Sequence, residues 1–227
     1  MDFNVKILHV FEVFGSEIWI TETILNAWII MLLLIIVAVI VRISLKKWEQ
    51  IPSGFQNVVE VLVEMFDKIV LDTAGEKLMY LGNWFFMVFA FMLMSSICGI
   101  IGLRPPTADW ATTFAFALGT FFLIQAMGVY YRRGKYLKSF FEPFFLFLPL
   151  NLIGELSRPI SLSFRIFGNV LAGMILMSLI YTLAPIFLRF LLPAALHAYF
   201  DLITGILQAY IFCILSLSFI SDAAAVD

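Results

Sequence analysis

Residues 24–41 are apolar and free of charge, and the run stops at Arg42, Lys46 and Lys47. A membrane-spanning helix needs about 20 predominantly apolar residues. The run therefore predicts a first span whose upstream end reaches the residues near Trp19 and Ile20, with Asn26 and Trp28 at the outer interface. After Pro52 the pattern changes. Phe55, Val58, Val59, Leu62, Phe66, Ile69 and Val70 recur at helical spacing, while Gln56, Asn57, Glu60, Glu64 and Asp67 take the other faces. This sided helix, over residues 53–72, is too polar to span. It is expected to lie in the membrane interface, the other arrangement being packing on a partner. Ser53 and Gln56 have capping-box spacing at its start. Spanning runs resume at residues 81–103 and 110–131, joined by a tight Arg104-Pro105-Pro106-Thr107-Ala108-Asp109 connection. After Arg132, Arg133, Lys135 and Lys138, residues 140–150 form an apolar patch broken by Glu142-Pro143 and Pro149, which reads as an interfacial or re-entrant piece. Residues 151–181 and 193–221 then predict helices about 46 Å and about 43 Å long. Both exceed a hydrocarbon core of about 30 Å, so they must tilt or bend. Pro159 supplies one bend, and the chain turns between Ala184-Pro185 and Leu192-Pro193.

The pattern as a whole predicts an all-α polytopic membrane protein. It has five transmembrane helices plus one amphipathic interfacial helix, the last two spans forming a long, steeply tilted hairpin. One membrane domain covers residues 1–227. Its parts are an outer N-terminal segment (1–23), peripheral helices (24–131), a cytoplasmic loop with the interfacial piece (132–150) and the hairpin (151–222). Composition removes the soluble alternatives: 63% of the 227 residues are hydrophobic, 13% are charged and mean hydropathy is +1.02. A soluble enzyme exposing much of its 25 Phe would aggregate. Residues 1–22 are mixed and acidic, with Glu12, Glu17 and Glu22, unlike the basic start of a cleaved signal peptide. The first apolar run is therefore expected to be retained. Cys98 and Cys213 lie in apolar stretches and read as packed thiols. A net charge of −2 and the lack of a basic block give no nucleic-acid reading.

Basic residues set the orientation. Arg42, Lys46, Lys47, Lys68, Lys77, Arg132, Arg133, Lys135 and Lys138 fall on one side, against Lys6, Arg104 and Arg189 on the other. The positive-inside rule makes the first side cytoplasmic, with the N-terminus outside and the C-terminus inside. With no transit peptide in evidence, a bacterial plasma membrane is expected rather than an organelle. The sequence carries no Gly-rich phosphate loop, metal-spaced Cys/His cluster or nucleophile elbow. Neither covalent chemistry nor a cofactor is expected.

The polar groups inside the hairpin carry the candidate chemistry. Arg165 keeps its charge wherever it sits, and a charge at bilayer depth costs about 2.5–3.5 kcal/mol on insertion scales. Arg158, Ser161, Gly168, Asn169 and Ala172 share its helix face, a stripe whose small residues allow close approach by another helix. On the last helix Asp201, Thr204, Gly205 and Gln208 share a face, with His197 one turn before. Intramembrane carboxylates and histidines are the usual parts of ion relays. Plainer readings stand beside this one. Arg165 and Asp201 could form a structural ion pair. Arg158 could pair with Glu155 or snorkel. His197 could be an interfacial residue, Asn169 and Gln208 interhelical hydrogen-bond partners, and Asp109 the cap of the helix starting near Trp110.

Ser157-Arg158-Pro159-Ile160-Ser161-Leu162-Ser163-Phe164-Arg165-Ile166-Phe167-Gly168-Asn169, followed by Ala172-Gly173, closely resembles the signature of subunit a of F-type rotary ATP synthases. Leu207-Gln208-Ala209-Tyr210-Ile211-Phe212 resembles a second signature, and Pro106-Thr107-Ala108-Asp109 a weaker third. The resemblance implies a bacterial-type membrane stator beside a rotating ring of c subunits, with peripheral-stalk b subunits as further partners and ATP chemistry on other chains. It implies two offset aqueous half-channels, one to each side, that pass protons or sodium ions to and from carboxylates of the ring. Arg165 would stand between them, with Asn169 and Gln208 lining the region around it. Asp201 would serve the outer half-channel and Glu155 the inner one. His197, Asp109, Arg158 and Ser161 are candidates for channel mouths. Met174 stands where one branch of the family carries a carboxyl group on the arginine helix, which leaves Asp201 to supply the acid from the opposite helix. The alternative from another class is a secondary transporter with a midplane Arg165/Asp201 site, which predicts repeats and broken helices. A structural scaffold, in which Arg165 is dispensable, is the third.

Overall fold

The first helix starts at Glu22, because Thr21 is extended (φ −93°, ψ 160°) and its hydroxyl accepts the Ile24 N–H at 3.4 Å. That bond satisfies one of the donors every helix start leaves open. Trp19 and Ile20 therefore do not extend the span as expected. They lie in β2 (Ser16–Thr21), which pairs antiparallel with β1 (Ile7–Val13). Ile, Val, Phe and Trp crowd this stretch and favour a pleated ribbon. The computed structural model describes residues 7–13, 16–45, 54–142, 144–183, 185 and 188–225.

Five helical stretches among these are long and apolar enough to cross a membrane. Helix α1 (Glu22–Ser44) buries only Thr23, Asn26 and Ile30, and Ile30 packs beside Phe91 and Cys98 of the next span. Helix α2 (Phe55–Ala74) begins after Gly54, whose φ of 57° ends the preceding chain. Ser53, proposed as its cap, lies outside the described residues, as do Lys46 and Lys47. The C-terminal half of α2 buries Phe66, Val70 and Ala74, while Phe55, Val58 and Leu62 stay exposed. Its inner face meets the last helix of this same chain, Thr204–Ala224.

A 3-10 turn (Glu76–Leu81) leads into α3 (Gly82–Ile100), and α4 spans Trp110–Arg132. Residues 101–103 lie beyond the α3 end, which shortens the predicted second span. Arg133 (φ 49°) turns the chain into a short helix, α5 (Gly134–Ser139). Helix α6 (Leu148–Leu183) has 36 residues, starting upstream of the pattern's prediction. Pro149 falls in its first turn, where a missing N–H costs nothing, so residues 148–150 belong to the helix and not to the interfacial piece. The helix continues through Pro159.

The last span has three parts: α7 (Leu188–His197), a wide π turn (Ala198–Ile203) and α8 (Thr204–Ala224). The helix starts before Pro193, so the hairpin turn is shorter than expected, and Ala184, Ile186 and Phe187 within it lie outside the described residues. Besides the Ile30 cluster, two larger apolar clusters hold the helices together. One joins Val70, Phe85, Ile124, Tyr136 and Leu217, and the other joins Val88, Ala117, Leu162, Ile166 and Phe212. Small hydroxyls tie the elements between them. Thr113 meets Ser163 at 3.1 Å across α4 and α6, and Ser95 meets Thr107 at 3.0 Å.

Candidate functional site

Helix α6 turns its small-residue stripe outward. Ser161, Arg165, Gly168 and Ala172 are exposed, and a Cβ added at Gly168 would meet nothing within 4 Å. Arg165 makes no ion pair or hydrogen bond among the described residues. The structural ion pair between Arg165 and Asp201 is not formed among the described residues. Two clefts open on either side of Arg165 along the helix.

The first cleft, of about 30 Å³, is lined by Asn169, Asp201, Thr204, Gln208, Ser96 and Thr107 together with apolar neighbours. Helices come unusually close beside it. A Cβ at Gly99 would lie 2.8 Å from the Asp201 carboxyl carbon, and one at Gly205 would lie 2.5 Å from Ser96 Cβ. The π turn carries Asp201 at this crossing, an extra-residue irregularity that recurs at functional sites. His197 Nδ1 meets Asp201 Oδ2 at 2.5 Å. Gln208 Oε1 is buried and has no partner among the described residues, so one acceptor remains free at the cleft.

The second cleft, of about 480 Å³, is lined by Glu155, Arg158, Asn151, Tyr136, Arg132 and Asp222 among others. Glu155 accepts from Arg158 Nη1 at 3.0 Å, and Gln125 Nε2 donates to its other oxygen at 3.4 Å. The Arg158 guanidinium also sits over the Phe219 ring, 4.9 Å from its centroid. Tyr136 donates to Gln125 Oε1 at 3.0 Å. Burial, reinforced by the negative charge of Glu155, pushes the Tyr136 phenol up from its ordinary pKa. Along α6, Glu155 lies about 15 Å from the level of Arg165, and Asn169 about 6 Å on the other side. Arg165 itself lines neither cleft.

The structure thus gathers Asn169, Asp201 and Gln208 into one cleft and Glu155 with Arg158 into the other. Ser161 joins Arg165 on the outward face. His197 reaches the first cleft only through Asp201. Asp109 lines neither cleft: it caps α4 by accepting from Ala111 N–H at 3.2 Å and also accepts from the Thr23 hydroxyl at 3.2 Å. Sequence reasoning misses Ser96, Gln125, Tyr136 and Asp222. Gly99 and Gly128 in otherwise bulky apolar helices are the signal that another side chain closes on the backbone there.

The family described as ATP synthase A chain matches residues 24–221. ATP synthase subunit a 2 of Acaryochloris marina is 34% identical over 215 residues, covering 92% of this chain and 87% of the relative. ATP synthase subunit a, sodium ion specific, of Propionigenium modestum is 34% identical over 230 residues, covering 90% of this chain and 74% of the relative. ATP synthase subunit a of Moorella thermoacetica is 33% identical over 206 residues, covering 89% and 90%.

Proposed function

The chain belongs to the ATP synthase A chain family, and from that premise we propose that it is the ion-conducting stator in the membrane sector of a rotary ATP synthase. In this reading it performs no covalent chemistry and works as one membrane domain. The Asp201 cleft is the half-channel to the outer side, and the Glu155 cleft is the half-channel to the cytoplasm. A proton or sodium ion enters by one, rides on a carboxylate of a rotating ring of c subunits, and leaves by the other. Peripheral-stalk b subunits hold the stator against the torque.

The observation that carries the proposal is the outward, unpaired Arg165 on a stripe of small side chains between two clefts that each hold a carboxylate. A guanidinium cannot lose its proton under working conditions, so it cannot relay one. It can only favour an ionised carboxylate brought opposite it, which drives the ion off, and repel a cation trying to pass straight between the clefts. Ser161, Gly168 and Ala172 let the ring helix come close enough for that field to act. Each charge crossing by this route draws about 2.3 kcal/mol per 100 mV from the membrane potential. Asn169 and Gln208 keep the approach to Arg165 polar, and His197 holds the Asp201 carboxylate toward its cleft.

The test uses vesicles holding the whole complex, comparing the natural chain with Arg165→Ala. ATP-driven pumping is lost in the variant, while passive ion leak after the soluble head is stripped is retained or increased. Pumping at the natural rate would make Arg165 a structural charge and end the proposal.

A further inference from the structure

Helix α4 has no side chain at Gly128 because Tyr136 occupies that space. A Cβ there would lie 2.6 Å from Tyr136 Cε2 and 2.7 Å from its Cζ. The ring is 4% exposed and meets Phe140 edge-on at 5.3 Å. It is therefore fixed on the helix one turn from Gln125, and the pair leads to Glu155 through the two hydrogen bonds given above. An ionised carboxylate only accepts hydrogen bonds, so Gln125 must present its NH2 to Glu155 and its oxygen to Tyr136. The phenol must then donate, and its raised pKa keeps it protonated well above neutrality. Both oxygens of Glu155 thus have donors, Arg158 on one side and Gln125 on the other.

We propose that Tyr136 is a positioning residue for ion exchange at Glu155, acting through Gln125; the inference rests on the half-channel reading of the Glu155 cleft. When Glu155 gains or loses a proton, its demand on Gln125 switches between accepting and donating. Tyr136 can follow, because a phenol oxygen accepts as well as donates. The amide therefore keeps a partner in both states, and the carboxylate keeps its place at the cleft throughout the exchange. The other charged groups lining this cleft are Arg158 on α6, Arg132 on α4 and Asp222 at the end of α8. None of them makes a hydrogen bond to Gln125 among the described residues.

The experiment compares Tyr136→Phe, Glu155→Gln and the natural chain in the whole complex in vesicles, with pH varied separately on the two sides. Phe keeps the ring against Gly128 and Phe140 and removes only the hydroxyl. ATP-driven pumping in Tyr136→Phe is expected to slow by about fivefold, the worth of one lost hydrogen bond. Its dependence on cytoplasmic-side pH shifts upward, because the ionised carboxylate loses an ordered donor. Its dependence on outer-side pH stays as it was. A natural rate and natural cytoplasmic-side profile in Tyr136→Phe, with Glu155→Gln impaired, would overturn the role of Tyr136 and leave the half-channel standing. Equal shifts on both sides would mark a general disturbance of the fold and overturn it too. Natural pumping by Glu155→Gln would remove the half-channel reading, and this inference with it.

Discussion

Gly205 and Ser96 approach so closely that only one of the two positions has room for a Cβ, since one added at Gly205 would lie 2.5 Å from that of Ser96. Neither atom is the end of a long side chain, so the helices themselves would have to part. Gly205→Ala is expected to cost about 1–3 kcal/mol of packing and to open the Asp201 cleft, lowering pumping. Adding Ser96→Gly removes the obstructing Cβ and should restore most of the lost rate. ATP-driven pumping of the two single variants and the double variant checks this, and equal impairment of Gly205→Ala with and without Ser96→Gly counts against it. The same contact explains what the sequence discloses about the site. Arg165, Asn169, Asp201 and Gln208 are legible because a charge or amide in an apolar helix is costly and asks for a reason. The Glu155–Arg158 pair follows from their three-residue spacing, and the capping role of Asp109 from its place before Trp110. Ser96 is not legible, because a serine near a helix end is common. Gln125 carries the same amide signal as Gln208, but only the fold brings it beside Glu155, as it brings Ser96 beside Gly205.

Helices α2 and α5 start in the same way, after a residue with φ near +50° and ψ near −120°: Gly54 (57°, −120°) and Arg133 (49°, −128°). Glycine adopts that conformation at little cost, while a side chain there is strained by about 1–3 kcal/mol. Arg133 is exposed, so Arg133→Gly removes little packing and relieves the strain. Allowing for the greater freedom glycine restores to the unfolded chain, a net gain of about 1 kcal/mol is expected. It should appear as a higher midpoint temperature in thermal dissociation of the detergent-solubilised complex, with no loss of pumping. A lower midpoint would mean that the guanidinium makes a contact worth more than the strain. At this scale the long spans are readable because a run of apolar residues has few other solutions. The ends are less so: Pro149 looks like a break but suits a first helical turn, and Thr21 caps a helix that hydropathy alone would extend. The π turn at Ala198–Ile203 leaves no mark in hydropathy, since one extra residue per turn shifts the register without changing the residue types.

Across the whole molecule, the sign of the proposed ion path depends on which way the chain crosses the membrane. Arg132 lines the Glu155 cleft, and α5, with Lys135 and Lys138, follows directly from the same helix end. The Glu155 cleft therefore opens on the side of these basic residues, the side that the positive-inside rule proposes as cytoplasmic. The β1–β2 hairpin precedes α1 and belongs to the opposite side, given an odd number of spans between it and the chain's end. Cysteine labelling can decide this with little background, because Cys98 and Cys213 are 9% and 1% exposed. Glu17 and Lys135 are both exposed. A membrane-impermeant maleimide should label Glu17→Cys from the outer face of right-side-out membranes and Lys135→Cys only in inverted vesicles. The opposite result would exchange the two clefts, making Asp201 the cytoplasmic group and Glu155 the outer one. Arg165 would keep its barrier role in either orientation, because its field acts on whatever cation approaches from either cleft. What changes is which carboxylate meets the ion first. The pH-sidedness expected for Tyr136→Phe would then move to the other face of the membrane, so the labelling result determines on which side that experiment must find its shift.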